Sequence, residues 1–91
     1  MPLWARQTLI TASPLDAEAG IEGHRAHLRE LEARGILVLT AEYRHGDGFL
    51  EIYEAADLHE AERIARSSPL VEDGLGSWTL RSVVEARLPL R

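Results

Sequence analysis

Ile36 to Glu42 reads ILVLTAE, and both of its alternating sets, Ile36/Val38/Thr40 and Leu37/Leu39/Ala41, are largely apolar. A strand with one face in water is polar at every second position, so this segment calls for cover on both faces of the sheet it joins. Few architectures meet that demand in a short chain. The next segment, GFLEIYE from Gly48 to Glu54, is a second strand, and the intervening Arg44-His45-Gly46-Asp47-Gly48 is turn-forming, so the pair reads as an antiparallel hairpin.

The hairpin is flanked by two similar halves. Residues 3 to 10, LWARQTLI, favour a strand that stops at Thr11-Ala12-Ser13-Pro14, where Ser13 suits an N-cap and Pro14 the first helical position. From Leu15 to Arg34 the apolar residues Ile21, Leu28 and Leu31 share one helical face, and Gly35 follows as a stop. Gly20 and Gly23 lower helix propensity, so the firm part of this helix is expected from about Glu22. After the hairpin, Asp57-Leu58-His59-Glu60 reads as an N-cap with an acidic first turn, and Leu58, Ala61, Ile64 and Ala65 form the apolar face of a second helix. Ser67-Ser68-Pro69 ends it, PLVEDGLG reads as a loop, and SWTLRSVVEAR, with Trp78, Leu80, Val83 and Val84, reads as a last strand. Phe49, Tyr53 and Trp78 are expected to pack within the sheet layers.

The order βαββαβ predicts an α+β, ferredoxin-like fold: a four-stranded antiparallel sheet with two helices on one face. The helices cover one face and leave the other bare. A chain of 91 residues, read as one domain over 1–91, buries only about 60 to 65% of its unfolded surface, and with no cysteine neither disulfides nor thiolate-bound metal can stabilise it. Stacking two sheets face to face would bury the bare face in an isologous homodimer, which is the expected assembly. A net charge of −5 with no basic stripe argues against nucleic acid as a partner. No apolar window approaches a membrane span and the start lacks signal-peptide order, so a cytoplasmic protein is expected.

Within this order, Arg25-Ala26-His27-Leu28 followed by Leu31 and Gly35, and then Ser68-Pro69 followed by Gly74, resemble the YCII family of the dimeric α+β barrel superfamily. That family carries a histidine-leucine pair on its first helix, an aspartate-proline pair after its second, and a glycine soon after. These fall on His27, Pro69 and Gly74, but Ser68 stands where the family has aspartate. The resemblance implies a dimeric barrel and a pocket in which His27 and residue 68 meet. A carboxylate there would orient the imidazole and raise its basicity; serine offers a hydrogen bond without the charge.

The helical wheel separates the two histidines. His24 lies near the centre of the apolar stripe, where a partly buried, locally hydrogen-bonded ring is expected, while His27 lies toward its edge, within reach of pocket and solvent. The candidate catalytic residues are therefore His27 and Ser68. Candidate substrate contacts are His24, Arg25 beside it, Tyr43 at the end of the second strand, Pro69 and Gly74. Ser68 also has a structural reading, as a small polar residue satisfying backbone groups before a proline. His45 and His59 read as solvated surface residues. Two histidines three apart lack a third ligand, and GDG and GLG lack phosphate-loop fingerprints, so no metal or cofactor is expected.

Three functions are open, the third being a dimerising structural domain with no pocket function. The resemblance implies a small-molecule enzyme in which His27 is a general acid or base in a lyase, isomerase or hydrolase step. The alternative, favoured by Ser68, is a binding or accessory module that keeps the fold and pocket without turnover.

Overall fold

A computed structural model describes residues 1–84 of the chain. Its elements are β1 (Leu3–Ile10), α1 (Pro14–Ala33), β2 (Leu37–Glu42), β3 (Gly48–Glu54), α2 (Leu58–Arg66), a single helical turn α3 (Pro69–Glu72) and β4 (Gly76–Val83). The strands form one antiparallel sheet in the order β2-β3-β1-β4, with the helices on one side. The expected ferredoxin-like architecture is therefore present.

Three local expectations are corrected. Helix α1 is continuous from Pro14, capped by the Ser13 side chain accepting from the Asp16 amide, and does not wait for Glu22. The two glycines stand where neighbours approach closely: a Cβ on Gly20 would meet Leu75 Cδ1, the flexible end of that side chain, and one on Gly23 would lie 2.6 Å from Pro69 Cγ of a rigid ring. Tertiary contact with α3 and the segment after it thus outweighs a propensity cost of about 1 kcal/mol per glycine. Second, PLVEDGLG is not all loop. Ser68 caps α3, accepting from the Leu70 amide, and Gly74 at φ 67° ends the turn. Third, Leu58 does not join the buried face of α2 but stays 52% exposed; Ala61, Ile64 and Ala65 are buried. The last strand ends at Val83 among the described residues, and the part of the expected strand beyond Val84 lies outside them.

Strand parity sets the layout of the core. Trp4, Arg6, Thr8 and Ile10 of β1 and Phe49, Glu51 and Tyr53 of β3 point to the helices. Leu31, Tyr53, Ala55, Ala61 and Ile64 form one apolar cluster, joined by Trp4 and Leu80. Leu28, Phe49 and Leu70 form a second, joined by Ile10, Ile21 and Leu75. Arg6 and Glu51 sit between the two, at strand centres, so a polar layer divides the core.

The opposite face carries Leu3, Ala5 and Leu9 of β1, Leu50 and Ile52 of β3, and Leu39 and Ala41 of β2, with no helix over them among the described residues. Leu9 is 39% and Leu39 45% exposed, so this sheet face carries aliphatic surface. Residue Val38 is an extra residue in β2: Leu37 pairs with Tyr53 and Leu39 with Ile52, so the ladder carries a bulge there.

Candidate functional site

The polar layer is a chain of side chains from four elements. Arg6 of β1 donates from Nε to Glu51 Oε1 of β3 at 2.7 Å, and from Nη1 to the Ala65 carbonyl of α2 at 3.1 Å. The same Nη1 lies 3.2 Å from His27 Nε2 of α1. Glu51 Oε2 accepts from His24 Nε2 at 3.0 Å, and His24 Nδ1 shares a 2.5 Å hydrogen bond with Ser68 Oγ at the start of α3. Arg6, His24, Glu51 and Ser68 are fully buried, and His27 is 7% exposed.

The charges follow from these contacts. Burial alone would raise the Glu51 carboxyl, but the hydrogen bond from His24 and the field of Arg6 outweigh it and hold the group below its ordinary value. Glu51 is therefore a carboxylate, and the Arg6–Glu51 pair is a buried ion pair whose remaining lone pairs His24 satisfies. Burial, then the nearby Arg6 guanidinium and His24, push His27 down from 6.5 to about 4. At neutral pH His27 is an uncharged ring. Guanidinium only donates, so Nε2 of His27 is the acceptor and the ring proton is assigned to Nδ1. The buried Tyr53 hydroxyl donates to the Ala61 carbonyl at 2.6 Å, and burial pushes it up to about 12.

His27 also forms part of the wall of a cleft of about 330 Å³ between α1 and α2. Glu30 and Arg34 line it from α1, Arg63 and Ser67 from α2 and its C-cap, and Pro69 from α3. The sequence-predicted site residues divide on this geometry. His27 and Pro69 meet at the cleft. Ser68 lies behind it, buried against His24 and not against His27.

His24 is enclosed entirely, and its partners are 27 and 44 residues away, so the expectation of a partly buried, locally bonded ring is replaced by a long-range tie. Arg25 points elsewhere: it is half-buried and pairs with Glu22 and Glu42. Tyr43 sits at the β2–β3 turn, its ring beside Gly48, and Gly74 is in the turn before β4; neither lines the cleft. His45 and His59 are exposed, as read from their positions.

The residues that sequence reasoning missed are Arg6 and Glu51, together with Arg34 and Arg63. The available signal was parity. Arg6 alternates with Trp4 and Thr8, and Glu51 with Phe49 and Tyr53, so each charge shares the face of its strand's aromatic residues.

No family profile and no curated protein matches the sequence. Solved structures do match the fold. The chain is similar to 5-chloro-2-hydroxyhydroquinone dehydrochlorinase (TftG) from Burkholderia phenoliruptrix, in complex with 2,5-dihydroxybenzoquinone, with a TM-score of 0.69 and 18% identity over 89% of this chain and 91% of that one. An antibiotic biosynthesis monooxygenase superposes with a TM-score of 0.64 and 13% identity over 96% of this chain and 100% of that one. SnoaB, a cofactor-independent oxygenase from Streptomyces nogalater, gives 0.54 and 11% over 98% and 97%. These neighbours belong to the dimeric α+β barrel superfamily, and at such identities the likeness is one of fold. No helix among the described residues is long and apolar enough to cross a membrane.

Proposed function

We propose that the chain is a YCII-like small-molecule enzyme, a cytoplasmic homodimer working without a cofactor, with His27 as its reactive side chain. The observation that carries this reading is the neutral His27 ring in the wall of the α1–α2 cleft, held from behind by Arg6. Ser68 has a supporting part, fixing His24 and through it Glu51 and Arg6.

Of the acid and base roles that the family resemblance implies, the geometry favours the donor. The Nε2 lone pair is taken by Arg6, which leaves Nδ1–H without a protein partner among the described residues. A neutral imidazole N–H, backed by a fixed cation, polarises a carbonyl or holds a developing oxyanion in a lyase or isomerase step. The likeness to a dehydrochlorinase and to a cofactor-independent oxygenase agrees with chemistry on compact organic molecules. The test is a thermal-shift and turnover screen of wild type, His27→Ala and His27→Gln against small lactones, quinones and hydroxy acids. Turnover lost in Ala and partly kept in Gln, which retains an N–H donor, supports the reading; turnover equal in all three refutes it.

A second reading, a binding or accessory module, draws on one specific observation: no carboxylate touches His27 among the described residues, because Glu51 serves His24 and Arg6 instead. Ligand-induced stabilisation lost in His27→Ala, without turnover in any protein, would favour it. In either case the uncovered sheet face with Leu9, Leu39, Leu50 and Ile52 is proposed to stack on a second copy. A monomer mass by light scattering at micromolar concentration would refute that assembly.

A further inference from the structure

The cleft is cationic in an acidic chain. Arg34, the C-cap of α1, and Arg63, of α2, line it from opposite helices, and Glu30 is the one carboxylate among the described residues that line it. Glu30 and Arg34 have the i,i+4 spacing of a helical ion pair, and Glu60 and Arg63 the i,i+3 spacing, yet neither pair is made. Glu60 lies instead near the Ala56 amide, at 3.4 Å. Among the described residues Arg34 and Arg63 therefore take part in no ion pair, and of the arginines so unpaired, which include Arg29, Arg44 and Arg81, these two line the cleft. Behind the wall, Glu51 is already matched by Arg6 and His24 and offers the cleft little negative field.

From this juxtaposition we infer that the cleft binds a small organic monoanion, a carboxylate or phenolate, with Arg34 and Arg63 gripping the charged group and His27 Nδ1–H directed at a neutral oxygen of the same molecule. The inference deepens the proposed function and rests on it, since it assigns a substrate class to the same cleft. Two guanidinium groups against one carboxylate leave one net positive charge, which suits a monoanion better than a phosphate dianion. A guanidinium fork also matches the planar geometry of a carboxylate. A volume near 330 Å³ is at the lower end of ligand pockets and limits the occupant to roughly the size of a substituted single ring.

The test titrates benzoate and its neutral isostere benzamide into the full-length chain, following amide resonances of Gly23 and His27 by NMR at low and high salt. The expected result is that benzoate binds at least about tenfold more tightly than benzamide and weakens as salt rises. Arg34→Gln and Arg63→Gln should each raise the benzoate Kd roughly three- to tenfold while leaving that of benzamide unchanged, and Arg63→Lys should recover part of the loss. Both arginines are exposed, so these variants keep the fold. Equal binding of the two probes, or a benzoate Kd untouched in the double variant, overturns the inference while leaving the small-molecule reading in place. Absence of any shift by either probe likewise overturns the inference, while the small-molecule reading stands or falls on the His27 turnover screen.

Discussion

Keeping His27 uncharged ties the stability of the fold to pH in a specific window. The ring has its ordinary value of 6.5 when the chain is unfolded and about 4 when folded, because burial and then Arg6 and His24 oppose its charge. Between these limits the unfolded chain binds the proton and the folded chain does not, so stability falls as pH drops from about 6.5 to about 4. Above 6.5 the contribution is fully present; below about 4 both states are protonated and the loss is complete. At about 1.36 kcal/mol for each tenfold change in proton affinity the whole window is worth about 3 kcal/mol, discounted to about 2 because one side of the ring meets the solvent of the cleft.

Urea unfolding of wild type and His27→Gln, at several pH values from about 7.5 to 4, measures this directly, since Gln keeps polar atoms of similar reach but has no proton to gain. The expected outcome is that wild type loses about 2 kcal/mol more than the variant across the window. Glu51, held below its ordinary 4.5, contributes at the acid end and is lost as pH falls through its folded value, but it is common to both proteins and cancels in the difference. Parallel pH profiles for the two proteins would refute the assignment of a buried neutral ring facing Arg6.

Glu51→Gln leaves Arg6 buried without its counter-charge and should cost about 3 to 5 kcal/mol, read as a lowered urea midpoint with unchanged slope. Ser68→Ala removes both the hydrogen bond to His24 and the cap of α3, a loss of about 1 to 3 kcal/mol by thermal or urea unfolding. Gly23→Ala tests the packing of Pro69 against propensity: if helix preference ruled, the variant would gain about 1 kcal/mol, whereas the 2.6 Å approach to Pro69 Cγ predicts a net loss of about 1 to 3 kcal/mol. The Tyr53 phenol should ionise only near pH 12, and an ultraviolet phenolate titration in which every tyrosine ionises near pH 10 would contradict its burial.

What the sequence made legible was what periodicity and punctuation encode. The strands 3 to 10 and 48 to 54, the caps Ser13 and Asp57 and the stop at Gly35 all rest on local rules, and the structure has them at those positions. The continuity of α1 through Gly20 and Gly23 was hidden because its cause, Pro69 and Leu75, is about 45 to 55 residues away in the chain. The polar layer was hidden for a related reason. Arg6 and Glu51 are each a charge in the middle of a strand, which by local rules belongs in water; only their mutual contact across 45 residues, completed by His24, makes burial tolerable. Both strands also carry apolar residues on the opposite parity, so alternation alone does not say which face is inside. His24 was legible as a stripe residue, but not as the hinge of a network, because Ser68 and Glu51 reach it from other elements.

The extra residue at Val38 bears on which contacts between copies the chain permits. β2 is an outer strand of the sheet, and an outer strand with aliphatic side chains is a template on which another chain's strand can add, the route to open-ended fibrils. A two-against-one mismatch in its ladder twists that rim and breaks the even spacing of amide and carbonyl groups that an incoming strand would need. Lateral growth along β2 is thereby disfavoured at Val38, so in the proposed assembly this irregularity would steer copies toward stacking on the aliphatic face and away from polymerisation.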